Sequence, residues 1–430
     1  MRNFSIITAL MLLTSTCLLS QPLIPTDHGF PGNQPAWNSE QTQVQEYSLK
    51  NGFNWWSSYI DMSEDGIGAL KNALGSDASL IKNNNSFITY NPSTDLWTGS
   101  LSSIDNSTMC LILISSTDSD FQLEGNAVNP ADVNIEITPG WNWIGYPCAS
   151  ASNINTALAN FSANNNDQIK SQMSFATYSA ANGEWIGQLT TLVPGQGYIL
   201  LSNNTEASSF HYTPSSKDEV IISEAPSTVW KPNPTAFAQN MTIIATISLQ
   251  GMEVRDDVYE VGVFHGDECR GTTRLFYVEA TNSYMAFLTA YGNNGDELQF
   301  RLLDQSNNMV YTTQNDQRIT YNDNATLGLL DTPYLIEFRD VLNTEEALAS
   351  MLDIYPNPMS CGQDLYITLP ENEANASQVK VQIVNLLGQV VHEESMTGSR
   401  CSIHGMASGL YTIRVLSENT PIYNGKLIVK

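Results

Sequence analysis

The chain has 430 residues, with 18 basic side chains against 44 acidic ones and a formal net charge of −26. A field of that sign repels phosphate backbones, which excludes nucleic acid as a partner. Apolar residues make up 42% and aromatics 9%, enough to pack several cores, and the length suggests about three domains.

Arg2 opens a short positive region, residues 4–13 are apolar, and Thr14-Ser-Thr16 follows. This is the pattern of a secretory signal peptide, here residues 1–20, and the apolar run is shorter than the ~18 residues of a membrane span. Cys17 leaves a lipoprotein signal open as an alternative. No later stretch reaches spanning length, so no transmembrane segment is expected in the mature chain. Residues 21–43 read as a linker.

The chain then repeats itself at a shift of 88 residues without a gap. Gly52-Phe-Asn-Trp55 falls on Gly140-Trp-Asn-Trp143, and Ser86-Phe-Ile-Thr-Tyr90 on Ser174-Phe-Ala-Thr-Tyr178. Trp97-Thr-Gly99 falls on Trp185-Ile-Gly187. Two mostly-β modules are expected, at residues 44–130 and 131–214. Each holds a strand, a turn into the Gly-x-Asn-Trp strand, a short helix (Gly66–Leu74; residues 154–161), a hairpin and a closing strand. The second copy, from its Gly-Trp-Asn-Trp-Ile start to Pro194-Gly-Gln-Gly-Tyr198, resembles a module that recurs in secreted bacterial proteins. The resemblance implies an extracellular, mostly-β unit and no defined activity.

Residues 215–229 are polar and contain Pro226, which marks a linker. Residues 230–340 carry short strands between Gly/Asn/Asp turns, the texture of a β-sandwich. Val261-Gly-Val-Phe264 and Gly266-Asp-Glu-Cys-Arg-Gly271 resemble a module often placed before export domains. A pairing of Arg270 with Asp267 or Glu268 is expected there. Residues 341–351 form a short acidic tether.

Residues 352–430 carry Tyr355-Pro356-Asn357-Pro358, the hairpin Asn385-Leu-Leu-Gly388-Gln, the strand Gly409-Leu-Tyr411 and a terminal Lys430. In that order these resemble the type A C-terminal sorting domain of the type IX secretion system of Bacteroidetes. The resemblance implies an Ig-like β-sandwich, delivery across the outer membrane and contact with the secretion machinery. It also implies removal of the domain at the surface, with the remainder released or attached to surface glycolipid. The whole reads as an all-β, multidomain protein, secreted or held at the outer cell surface.

The chemistry is sparser. Five cysteines follow the signal, with no C-x-x-C, so a zinc site is not expected. Cys361 with Cys401, then Cys110 with Cys148, are the pairs that an oxidising route would bridge. His211 and His265 are the imidazoles left for catalysis, and no G-x-S-x-G, H-E-x-x-H or P-loop is present. A non-enzymatic, adhesin-like protein binding glycan or a host or matrix protein is therefore expected. An extracellular hydrolase or its accessory subunit is the alternative, and a structural surface-layer component the second. Trp55 and Trp56 must point to opposite faces of their strand. Trp56, and secondarily Trp141, are the tryptophans expected to be exposed for stacking on sugars. Trp97, Trp143 and Trp185 are expected in cores. No cofactor is expected; Asp/Asn turns at 293–297, 322–324 and 266–268 could hold Ca²⁺, or be solvated turns only.

Overall fold

The computed structural model describes residues 42–115, 117–213, 227–307, 309–313, 317–341, 353–368, 379–385, 388–395, 400–417 and 420–430. The signal peptide and most of the three linkers lie outside the described residues.

The first module contains β1 (Gln43–Leu49), β2 (Gly52–Trp56), α1 (Gly66–Leu74), β3 (Ala78–Lys82), β4 (Phe87–Asn91), β5 (Leu96–Gly99), β6 (Cys110–Ile114) and β7 (Ser119–Gly125). Its main sheet runs β2-β6-β3-β4-β5, and β1 pairs with β7. The second contains β8 (Ile135–Ile137), β9 (Gly140–Ile144), β10 (Ser152–Asn153), α2 (Ile154–Ala157), β11 (Gln168–Lys170), β12 (Phe175–Ser179), β13 (Glu184–Gly187), β14 (Thr191–Leu192), β15 (Tyr198–Ser202) and β16 (Ser208–Phe210). Its sheet runs β9-β15-β11-β12-β13, with β8 against β16. Strand for strand the two sheets have one topology.

The repeated motifs have local causes. Asn54 closes the turn before β2: its amide accepts from Lys50 N at 2.9 Å and donates to Lys50 O at 2.7 Å. Asn142 does the same to Thr138, at 2.9 and 2.8 Å. Gly99 and Gly187 have φ of 146° and 156°, and a Cβ there would lie 2.2 and 2.4 Å from the carbonyls of Phe87 and Phe175. Only glycine lets the hairpin strands come that close. Asp65 caps α1 by accepting from Gly68 N, and Leu70 and Leu74 enter the core. The second helix is one turn, shorter than the expected 154–161; it ends at Leu158, and Phe161 still reaches the core from the following turn.

Both sheets are covered on both faces at β2-β6 and at β9-β15, whereas one face of β4 and β5 is open, with Phe87 and Leu96 exposed. Trp56 packs inward with Leu70, Ile81 and Ile112; Ile144, its equivalent, packs with Ile169 and Leu200. The opposite faces meet each other. Trp55, Leu111 and Ile199 are buried there with Phe53, Trp141 and Trp143 around them. These are equivalent pairs 88 residues apart, so the modules face one another about an approximate two-fold axis. Backbone bonds repeat the relation: Ser57 N donates to Gly195 O at 3.2 Å and Gly145 N to Ser107 O at 2.8 Å.

The third module is one eleven-stranded sheet that folds over on itself around Ile243, Val261, Phe300 and Ile336. Its ends approach where Tyr291 N donates to Arg270 O at 2.7 Å. The expected pairing of Arg270 is with Glu268 at 3.1 Å, joined by Asp296 at 3.3 Å. Asp267 pairs with Arg301 instead. Glu260 is wholly buried, yet its carboxylate accepts from Val229 N, Trp230 N, Thr272 Oγ1 and Gln305 Nε2 at 2.7–3.0 Å. That fastens the entering segment to the sheet.

The C-terminal region is a sandwich of a three-stranded and a four-stranded sheet over Ile367, Val381, Ile413 and Leu427. Asn357 binds the last strand, accepting from Ile428 N at 3.1 Å and donating to Lys426 O at 2.7 Å. Lys430 N reaches Met359 O at 2.8 Å. Gly388 turns the hairpin with φ 79°, Tyr355 stacks on Tyr366, and Tyr411 bonds Ala407 O. The motif and the chain end thus form one local unit. Cys110, Cys148 and Cys361 are free thiols, so neither expected bridge forms; Cys110 and Cys148 are held in different cores.

Candidate functional site

The three modules meet at Gln172, which follows β11. Its side chain donates to Phe53 O at 2.7 Å in the first module. Its carbonyl accepts from Asn240 Nδ2 at 3.1 Å and Tyr291 Oη at 2.9 Å in the third. Beside it Lys170 is fully buried, donating to Asn240 O and Asn324 Oδ1, each at 2.8 Å. Its ammonium lies over the ring of Trp141. Burial pulls its pKa down to about 7. Trp55 completes the joint, its indole N–H bonding Ala238 O at 3.0 Å.

Between the same modules lies a cleft of about 750 Å³, a size typical of ligand sites. The first module contributes Glu46, Tyr47 and Trp55; the second its Ser171–Ser174 turn and the Val193–Gly197 segment; the third Lys231, Arg274 and a threonine-rich strand. Its charged side chains are Glu46, Lys231 and Arg274.

The tryptophans chosen from sequence lie elsewhere. Trp56 is 1% exposed, a correction to its expected exposure: it does point opposite to Trp55, but both faces of its strand are covered. Its Nε1 has no partner among the described residues. Trp141 is half-buried beneath Lys170. Trp185 is in a core and Trp97 and Trp143 pack at core edges. His211 and His265 each contact a backbone carbonyl, of Val133 and Glu297, and neither lines the cleft. Asn294 and Asp323 from two of the Asp/Asn turns bond each other. Among the described residues no three His, Cys, Asp or Glu side chains group as metal ligands. Sequence reasoning missed the cleft, since no one segment holds more than a wall of it.

Residues 353–430, which form the C-terminal sandwich, match the family model of the secretion system C-terminal sorting domain. Residues 353–430 are a type IX sorting domain. The sorting domain makes this a secreted or outer-surface protein and implies contact with the type IX machinery. Among the described residues no helix is long and apolar enough to cross a membrane.

A curated relative, ulvan lyase NLR42 of Nonlabens ulvanivorans, is 30% identical over 204 residues. The match covers 44% of this chain and 37% of that protein. The expectation of a non-enzymatic protein is corrected by this likeness to an enzyme. It rested on missing hydrolase motifs, which do not bear on elimination: there a general base takes a proton as the C–O bond to the leaving group breaks, and no nucleophile attacks. Among solved structures, fibronectin(III)-like modules of Clostridium thermocellum CbhA are 12% identical, covering 44% of this chain and 93% of theirs, with a TM-score of 0.14. The Bacillus anthracis TIE protein is 9% identical, covering 91% of this chain and 72% of its own, with a TM-score of 0.16. Such scores assign no shared fold.

Proposed function

We propose that this exported protein acts in the breakdown of extracellular polysaccharide, holding the polymer in the cleft between the repeats and the third module. The observation that carries the reading is the 204-residue likeness to an ulvan lyase. Export by the sorting domain supports it, since such polymers are met outside the cell. The cleft supports it too: an open, threonine- and glutamine-lined surface suits sugar hydroxyls. The likeness favours a polysaccharide over a host or matrix protein as the partner. Purified full-length chain is incubated with ulvan, and the ultraviolet absorbance of newly formed unsaturated uronate ends is followed alongside polymer size. Rising absorbance with shortening chains is the expected result. Intact polymer that the protein also fails to retain would remove this reading.

A further inference from the structure

We propose, building on the polysaccharide reading above, that the cleft selects anionic sugars, with Arg274 and Lys231 receiving their carboxylate or sulfate groups. A chain of net charge −26 repels a polyanion over most of its surface. Binding one therefore requires a place where the local sign is reversed. Several cations of these modules are already matched: Lys50 with Asp118, Arg255 with Glu253, Arg270 with Glu268 and Asp296, Arg301 with Asp267. Arg274 and Lys231 differ. Among the described residues neither makes an ion pair, and both line the cleft.

They are also held in place. Arg274 Nε donates to Asp257 O at 2.8 Å, which fixes the guanidinium. Among the described residues its terminal nitrogens keep their donors free, a planar fork suited to an oxyanion. Lys231 follows Trp230, whose backbone N–H is tied to the buried Glu260 carboxylate at 3.0 Å and whose indole is buried against Phe264. Its exposed ammonium therefore springs from a fixed backbone position on a flexible stem. Both cations come from the third module, whereas the one acidic side chain of the cleft, Glu46, comes from the first. An anionic ring is thereby oriented, with its charged edge toward the third module and away from Glu46.

The test is affinity electrophoresis of the full-length chain through gels containing ulvan, carboxyl-reduced ulvan, desulfated ulvan or neutral dextran. Ulvan, which carries uronate carboxylates and sulfate esters, is expected to retard the protein. Arg274→Gln and Lys231→Gln should each weaken retention about tenfold, and added salt should weaken it further. Lys71→Gln, which removes the same charge from α1 outside the cleft, is expected to leave retention unchanged. Loss of retention on the carboxyl-reduced polymer identifies the uronate as the recognised group, and loss on the desulfated polymer identifies the sulfate. Equal retention on dextran, or cleft variants no weaker than Lys71→Gln, overturns the anion assignment and leaves the polysaccharide reading standing. Retention on none of the polymers overturns both.

Discussion

The ammonium of Lys170 lies 4.5 Å from the centre of the Trp141 indole, sealed between the second repeat and the third module. Its equivalent one repeat earlier, Lys82, lies 5.4 Å from the centre of Trp143 and stays partly exposed. One residue type at one repeat position thus serves as a buried rivet in one copy and a surface contact in the other. The difference is the third module, whose Asn240 and Asn324 close over Lys170.

Lys170 is expected to set a pH dependence. Burial lowers its pKa from an ordinary 10.5 to about 7, against a small opposing pull from Asp323. Between pH 7 and 10.5 the unfolded chain therefore binds more protons than the folded one, so stability from this group rises with pH across that window. Below pH 7 both states are protonated and the cost of burying the charge is constant. Lys170→Met, which keeps the volume without the charge, should lack this rise and change stability by about 1 kcal/mol near pH 7. Lys170→Ala should lose about 3 kcal/mol, through a cavity and two unpaired acceptors. Urea unfolding of both variants from pH 6 to 10 checks this; parallel curves for wild type and Lys170→Met would refute the titration.

Glu260 is expected to tolerate no isostere. Glu260→Gln turns one of its acceptor oxygens into a donor, which faces the N–H of either Val229 at Oε2 or Trp230 at Oε1. A loss of about 2 kcal/mol is expected, read as a lower thermal midpoint. Release of Trp230 should appear in the same experiment as a red shift of tryptophan emission. An unchanged midpoint would mean that the entering segment is held by packing alone.

The hairpin glycines separate space from conformation. Gly183 has φ 71° with open space around it, while Gly187 has φ 156° and a carbonyl where its Cβ would go. Gly183→Ala should cost about 1 kcal/mol and Gly187→Ala about 3 kcal/mol or more. Equal losses in chemical denaturation would contradict the clash.

In the sorting domain, Asn357→Ala removes both bonds to the final strand. A loss of about 1–2 kcal/mol should loosen the chain end and leave a larger fraction of protein in the periplasm. Deletion of residues 353–430 should retain all of it there, as judged by fractionation. Normal surface delivery of the deletion variant would refute the role of the domain.

The sequence made the duplication legible because its signature residues, Gly-x-Asn-Trp and Trp-x-Gly, are the ones the backbone geometry demands. The sorting domain was legible for a like reason: its motif and its last residues are tied by direct bonds. What could not be read was which surfaces are covered. Alternation placed Trp55 and Trp56 on opposite faces, and that is correct. It carries no information that a second copy would bury one face while the module's own core buries the other. The cleft escaped for the same reason, since Glu46, Gln172 and Arg274 are brought together by packing between modules and share no spacing along the chain.

The face-to-face pairing of the repeats bears on how such a protein arises. A lone module would present Phe53, Trp55 and Leu111 to water, and burying them would need a second molecule of itself. That is the condition of an isologous homodimer, whose assembly falls away on dilution. Joining two copies in tandem makes the partner permanently local, so the association no longer depends on concentration. For a protein exported beyond the outer membrane, where its concentration is not held up by a closed compartment, only the fused form stays assembled.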